Sequence, residues 1–359
     1  MKICVVGAGS IGGLLGVKLH NLGEDVTLIA RGAHLDAIRK GGLKLLMNDG
    51  TVEVARGVKA TADMTTLGTQ DLVILGVKAH QIEPILDDIN GLLGPDSTLL
   101  TTQNGIPWWY FQKHGGEFEG TPIRSVDPNG RIANAINPDH IIGCIAYPAA
   151  EITQPGTIRH VEGSRFPIGE LEGIESDRAR AISGLLTRAG FKAPILDDFR
   201  SELWLKLWGN LTFNPISALT HSTLVDICRF PLTRRLAERM MTEAQDVAHK
   251  LGITFRVSLA KRIQGAEKVG EHKTSMLQDL ESGKAMEIDA LIGAVAELGE
   301  LTSTPTPSID AAFALIKLLD KTVQGEGLYV KGQPLDQGSG KMATPVQPDS
   351  AAKAPAAAG

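Results

Sequence analysis

One apolar stretch of the chain carries three polar residues at regular spacing. Residues 201–215 read Ser-Glu-Leu-Trp-Leu-Lys-Leu-Trp-Gly-Asn-Leu-Thr-Phe-Asn-Pro, so Lys206, Asn210 and Asn214 stand four apart. Each four-residue step turns an α-helix by about 400°, so the three drift only about 40° per step and share one face. The other positions are mostly Leu, Trp and Phe, which marks a helix buried on most sides. An unpaired charge in such a place is costly. The pattern points to a cavity that holds a polar ligand, with Lys206 as a cation able to give up a proton. The competing reading has Lys206 reaching solvent and the two amides capping nearby backbone. Pro215 cannot donate to the carbonyl of Leu211, so the helix is expected to kink or end near Asn214.

A second polar cluster reads Thr274-Ser275-Met276-Leu277-Gln278-Asp279, then Gly283-Lys284-Ala285-Met286-Glu287-Ile288-Asp289. Ser275 and Asp279 are again four apart. They read either as ligand contacts or as an N-cap and the first turn of a helix. Glu287 and Asp289 read either as site residues or as solvated charges at a helix start.

Near the start, Gly7-Ala8-Gly9-Ser10-Ile11-Gly12 fits the G-x-G-x-x-G pattern between a strand and a helix. Gly7 permits the tight turn, Gly9 lets backbone approach a pyrophosphate, and Gly12 lets helix and strand pack closely. The helix N-terminus then offers free N–H groups to the phosphates. Binders of NAD usually carry an acidic residue at the end of the second strand for the ribose 2′-hydroxyl. This chain has Ala30-Arg31 there, and a cation favours a 2′-phosphate, so NADP(H) is expected. Lys78 and Asn104 each follow a strand of the same kind, at the carboxyl end where ligands bind in this architecture. By position alone, Lys78 is a ligand contact or a solvated lysine, and Asn104-Gly105 a ligand contact or a turn.

The elements that hold these groups follow from periodicity. Residues 2–6, 26–30, 71–77 and 98–102 read as buried strands, and residues 9–22, 34–41 and 79–90 as helices between them. The alternation implies an α/β fold with an open parallel sheet covered on both faces. Residues 43–60 alternate loosely around Asn48-Asp49-Gly50, a hairpin signal. From 120 to 170, the short runs 141–147, 157–161 and 166–169 predict an antiparallel extension of the sheet. A helix at 176–189 and a strand at 193–196 follow. Beyond Asp198 the pattern turns helical, at 199–219, 231–251, 255–263, 285–300 and 307–322. The expected domains are therefore residues 1–197 and 198–330. Residues 331–359, rich in Gly, Pro, Ser and Ala, are expected to be mobile.

Composition excludes several classes. A net charge of −5 argues against a partner held by nucleic-acid phosphates. The three cysteines, Cys4, Cys144 and Cys228, form no Cys-x-x-Cys pair, so no disulfide framework or thiolate zinc site is expected. The nine histidines form no metal-binding spacing, so no metal is expected and Lys206 is the better proton donor. No apolar run approaches the roughly 20 residues of a membrane span, and no secretory leader is expected. The chain reads as cytoplasmic.

Taken in order, five blocks resemble the ketopantoate reductase family (2-dehydropantoate 2-reductases). They are residues 7–12 with Arg31, Val77-Lys78-Ala79-His80-Gln81, Gln103-Asn104-Gly105, residues 203–215, and residues 275–289. The most specific is Leu-Trp-x-Lys-Leu-x-x-Asn-x-x-x-Asn-Pro. The resemblance implies an N-terminal Rossmann domain and an all-α C-terminal domain similar to that of 6-phosphogluconate dehydrogenase. It implies reduction of the ketone of 2-dehydropantoate by NADPH, a step towards pantothenate, in the cleft between the domains. Lys206 would be the general acid. Glu287 would position it and contact the nicotinamide side. Asn210, Asn214 and Ser275, with Asp279 beside them, would hold the substrate, and Asn104 the nicotinamide ribose. Arg31 and Lys78, with Gln81 close by, would flank the 2′-phosphate. The alternatives are another branched 2-oxo acid as substrate, or a non-catalytic NADP(H) sensor. A homodimer through the helical domain is expected by analogy only.

Overall fold

The computed structural model describes residues 1–328 and 330–331. Except for Lys331, the segment expected to be mobile lies outside the described residues. The first half runs β1 (Lys2–Val6), α1 (Ser10–Asn21), β2 (Asp25–Ile29), α2 (Gly32–Gly41), β3 (Leu43–Leu46), β4 (Val52–Ala55), β5 (Lys59–Thr61), β6 (Gln70–Leu75), α3 (Leu86–Gly91) and β7 (Leu93–Thr101). It continues through α4 (Arg131–Ala135), β8 (Ile141–Cys144), β9 (Ala149–Gln154), β10 (Thr157–Glu162), β11 (Ile168–Glu170) and α5 (Asp177–Arg188).

Seven strands form the main sheet in the order β11-β8-β7-β6-β1-β2-β5. All neighbours are parallel except β11, which runs antiparallel to β8. The central strands are buried on both faces, as Ile3, Cys4, Val5 and Val6 show, which is why their sequences are continuous apolar runs. Glycine loop and strand ends at Val6, Ile29, Leu75 and Thr101 therefore gather at one edge, the carboxyl edge.

The expected antiparallel extension is corrected. Ile141–Cys144 joins the main sheet as a parallel strand, and only Ile168–Glu170 extends it antiparallel. β10 leaves to pair with β3, building a separate sheet of order β4-β3-β10-β9. The cause is α1, which is apolar on nearly all sides and needs a cover beyond the main sheet. Leu43, Leu45 and Ile158 of the small sheet supply it, sharing a core with Leu14, Leu15 and Leu19. The strand expected at 193–196 reduces to single bridges, Ile195 with Ile168 and Lys192 with Arg165. The helix expected at 79–90 breaks into two 3-10 turns and the short α3. Pro84 lacks an N–H and disfavours helical backbone at Glu83.

The second half is α6 (Phe199–Thr220), α7 (Leu224–Arg229), α8 (Pro231–Lys250), α9 (Leu259–Val269), α10 (Ser275–Glu281), a π-helical turn at Asp289–Gly293, α11 (Ala294–Leu301) and α12 (Pro307–Gly325). α6 matches the helix expected at 199–219, and of the two outcomes expected at Pro215, a kink or an end, the helix does not end but runs on to Thr220. Leu211, Phe213, Ile216 and Ala218 lie buried in one core on both sides of the proline, and that packing carries the helix across the missing hydrogen bond. The helix expected at 255–263 sits at Leu259–Val269, because the Ser258 side chain caps it by accepting from the Lys261 N–H. α7 was not anticipated, although Thr223 and Asp226 form a capping box at its start. No described helix is long and apolar enough to cross a membrane.

Candidate active site

α6 is fixed before its polar face is considered. Trp204 and Trp208 are fully buried. Trp204 donates to the Tyr110 hydroxyl at 2.7 Å and Trp208 to the Met241 carbonyl at 2.7 Å. Arg200, one turn earlier, donates to the carbonyls of Tyr110, Leu171 and Gln112. These bonds clamp α6 to the segment after β7 on one side and to α8 on the other. The opposite face, bearing Lys206, is thereby held over the carboxyl edge of the main sheet.

Lys206 crosses from α6 to that edge. Its Nζ donates to Asn104 Oδ1 at 2.6 Å and to the Ala146 carbonyl. Asn104 Nδ2 in turn donates to Glu287 Oε2 at 3.2 Å. Asn104 thus joins the two residues that the family resemblance pairs, and the Glu287 charge acts on Lys206 across it. Burial pulls the Lys206 ammonium down to about 8, while the Glu287 charge and Cys144 oppose the fall. Lys206 and Asn210 line a recess with Gln103, Asn104, Trp109, Cys144 and Leu203. Two buried polar atoms around it, Gln103 Oε1 and Trp109 Nε1, have no hydrogen-bond partner among the described residues. Further along α6, Asn214 is buried and its Nδ2 is likewise unpaired. Groups of this kind call for a ligand or water.

The glycine loop fits a pyrophosphate. Gly7 holds φ +98°, and a Cβ there would meet Val77 Cγ1 at 2.6 Å. A Cβ on Gly12 would collide with the Gly7 carbonyl, whereas a Cβ on Gly9 would meet nothing nearer than 3.9 Å. Gly7 and Gly12 are therefore closed by packing, while Gly9 faces open space where a phosphate can approach. Ala8 and Ile11 flank the loop, and Ser10 opens α1, whose first N–H groups carry no side-chain cap. Arg31, past the end of β2, is exposed.

Other residues sit differently from the sequence picture. Lys78 bonds Asp279 Oδ2 at 2.7 Å and the Ala285 carbonyl at 2.7 Å, pairing the two halves of the protein. Burial pushes the Asp279 carboxyl up, and Lys78 resists this. Gln81 accepts from the Lys78 backbone N–H at 3.0 Å and so closes the turn that carries this lysine. Ser275 is exposed, and the helix cap is Thr274. Asp289 pairs with Lys317 at 3.0 Å on the surface.

Two features were missed, Gly76 and Glu202, and a third, Gly105, takes the turn reading given for it above. Gly76 backs the glycine loop, and a Cβ there would meet the Gly7 carbonyl at 2.7 Å. Gly105 has φ +86°, and a Cβ there would collide with the backbone of Ala290; Ile106 N donates to the Ala290 carbonyl at 2.8 Å, docking the Asn104 turn onto the π-helical turn. Glu202, buried one turn before Lys206, accepts from Tyr147 at 2.7 Å and binds Arg165 and Arg256. It extends the Lys206–Asn210–Asn214 line by one more four-residue step, a signal present in the sequence.

Two family models match this chain: "Ketopantoate reductase PanE/ApbA" over residues 3–173 and "Ketopantoate reductase PanE/ApbA C terminal" over residues 198–320. A 2-dehydropantoate 2-reductase from Mesorhizobium japonicum is 52% identical over 320 residues, covering 89% of this chain and 98% of that protein. One from Pyrococcus horikoshii is 31% identical, covering 88% and 97%. A solved ketopantoate-reductase-type structure from Ralstonia solanacearum MolK2 superposes with a TM-score of 0.85 at 39% identity, covering 91% of this chain and 99% of that one.

Proposed function

The chain belongs to the ketopantoate reductase family, and from that membership we propose that it reduces the ketone of 2-dehydropantoate to the alcohol, with NADPH as donor and Lys206 as general acid. The observation that carries the reading is Lys206 itself, a lysine lowered to about 8 by burial and held by Asn104 at the carboxyl edge of a sheet whose glycine loop fits a pyrophosphate.

When bound, the reduced nicotinamide supplies a hydride to the ketone carbon. As that bond forms, negative charge builds on the ketone oxygen. Lys206 Nζ stabilises the charge and gives the oxygen its proton, then recovers one from solvent. A donor whose pKa lies near the working pH suits this task. Asn104 and the Ala146 carbonyl fix the direction of Nζ. Glu287 keeps Lys206 more protonated than burial alone allows. Trp109, Ile145, Phe199, Leu203 and Leu207 give the recess apolar walls that limit water. Asn210 and Asn214 lie along α6 from Lys206, where substrate oxygens need donors. Ser275 and Asp279 are proposed to face the same substrate from α10. Arg31 supports the preference for NADPH over NADH, with Lys78 as its partner for the 2′-phosphate.

The test is NADPH oxidation with 2-dehydropantoate as acceptor. Lys206→Ala is expected to lose at least 10²-fold in turnover, the scale of a positioned general acid. Unchanged turnover in that variant removes Lys206 from the chemistry. Absence of turnover by the unaltered protein on 2-dehydropantoate and other branched 2-oxo acids removes the reading itself.

A further inference from the structure

His34, in the first turn of α2, reaches back to the glycine loop. Its Nε2 lies 2.9 Å from the Ala8 carbonyl oxygen. Its other ring nitrogen, Nδ1, accepts the Gly156 N–H at 3.1 Å, from the turn between β9 and β10. A carbonyl only accepts and a backbone N–H only donates. One state of the ring satisfies both partners, the neutral imidazole with its proton on Nε2. The imidazolium carries a proton on each nitrogen and has no acceptor left for Gly156.

Both backbone polar groups of Ala8 are held. Its N–H donates to the Ile29 carbonyl at 2.8 Å, at the end of β2, and its carbonyl takes the His34 proton. The Ala8–Gly9 peptide is planar and trans, so fixing the Ala8 carbonyl fixes the Gly9 N–H, which points the opposite way. The brace behind His34 is itself anchored. The Gly156 carbonyl accepts from the Lys44 N–H at 2.9 Å, and a Cβ on Gly156 would meet Ala37 Cβ at 2.8 Å, so the glycine lets the hairpin turn lie close on α2. Two residues on, the Ile158 side chain fills the space that a Cβ on Gly13 would need. The small sheet therefore supports the start of α1 at two points, by packing at Gly13 and through His34 at Ala8.

We propose that His34 is a positioning residue for the cofactor: the neutral ring, braced by the β9–β10 turn, holds the Ala8–Gly9 peptide in the orientation that receives the pyrophosphate. This role rests on the proposed binding of a dinucleotide at the glycine loop, and it makes the small sheet part of that site. Cofactor affinity then follows the fraction of protein with a neutral His34. Burial lowers the His34 pKa, so affinity is expected to fall only below the ordinary histidine range. The two segments bonded to the ring, Gly7–Gly12 and Pro155-Gly156, contain no titratable residue. On α2, Arg31 at the N-cap and Asp36 are the nearest charges in sequence, and neither contributes to the shift.

The experiment titrates NADH and NADPH onto the full chain by fluorescence, from neutral pH into acid. NADH gives the cleaner profile, because the 2′-phosphate of NADPH itself titrates at about pH 6. The unaltered protein is expected to lose affinity for both in acid. His34→Leu is expected to weaken both at neutral pH by roughly 3- to 10-fold, the worth of one hydrogen bond. His34→Gln, which offers an amide N–H to Ala8 and cannot titrate, is expected to restore most of that affinity and to hold it in acid. Melting curves show whether each variant is folded. A lower melting temperature with unchanged affinity in His34→Leu would reduce His34 to a structural contact and overturn the proposal. So would a loss confined to NADPH, which places His34 with Arg31 at the 2′-phosphate. An acid decline absent from the unaltered protein, or equally present in His34→Gln, overturns it without needing His34→Leu to fold. Failure of the unaltered protein to bind either cofactor overturns the dinucleotide site instead, a distinct result.

Discussion

Asn104 Oδ1 accepts a hydrogen bond from Lys206 Nζ at 2.6 Å, across the gap between the carboxyl edge of the sheet and helix α6. The same amide reaches Glu287 with its nitrogen at 3.2 Å, so one side chain couples a cation and a carboxylate that do not touch. The coupling has a sign. Burial lowers Lys206 to about 8, and Glu287 opposes the fall. Reduction needs the protonated lysine, so kcat/KM for the ketone is expected to be level at lower pH and to decline as pH rises through about 8. Glu287→Gln removes the charge that raises the Lys206 pKa, so the decline is expected at lower pH. A pH profile of both proteins checks this, and a shift upward in the variant contradicts the coupling.

The glycine loop separates two effects that a single substitution usually mixes. At Gly12 a Cβ collides with the Gly7 carbonyl, which is backbone and cannot swing aside. Gly12→Ala is expected to destabilise the fold by about 1–3 kcal/mol, the range for overpacking, and to lose cofactor binding as well. At Gly9 the nearest atom to a Cβ is 3.9 Å away, so Gly9→Ala is expected to leave thermal stability unchanged and still weaken NADPH binding. Paired melting curves and NADPH titrations check the contrast. A fall in melting temperature for Gly9→Ala would contradict it.

Lys78 and Asp279 bring a second test of the cofactor assignment. Their ion pair at 2.7 Å spans the two halves of the chain and ties up the lysine proposed for the 2′-phosphate. Asp279→Asn releases that ammonium from its counter-ion. NADPH is then expected to bind more tightly, with NADH unaffected, while Arg31→Ala weakens NADPH roughly tenfold and spares NADH. Equal changes for both cofactors in either variant would place the residue away from the 2′-phosphate.

The parallel sheet was legible in the sequence because strands buried on both faces must be continuous apolar runs, as residues 2–6 and 71–75 are. The α6 face was legible because three polar residues recur at four-residue intervals against leucine and tryptophan. The small sheet was not, because β10 pairs with β3 more than a hundred residues earlier, and no local pattern encodes that partner. The helix does not end at Pro215, because core packing on both sides of the proline outweighs the local propensity to stop there. At the site, residue types were readable and partners were not. Lys78 reads as a loop cation until α10 brings Asp279 to it. Glu202 went unnoticed because a lone glutamate on a helix resembles a solvated charge. Its burial depends on Tyr147, Arg165 and Arg256, which come from three other parts of the chain.

Glu202 gives the last prediction. Its side chain is 7% exposed, whereas Arg165 and Arg256 are 32% and 62% exposed, so the arginines keep some solvent when the carboxylate is removed. The cost of Glu202→Leu is therefore set below that of breaking a fully buried pair, at roughly 1–3 kcal/mol, the penalty for leaving a polar group unsatisfied. The variant also leaves the guanidinium cluster beside Lys206 without its carboxylate, and the added positive field is expected to lower the Lys206 pKa further. Glu202→Leu should thus show both a lower unfolding midpoint in urea and a decline of kcat/KM at lower pH than the unaltered protein. Glu202→Gln keeps an acceptor for Tyr147 and should recover part of the stability while retaining the pH shift. A stability loss with an unmoved pH profile would confine Glu202 to holding the fold.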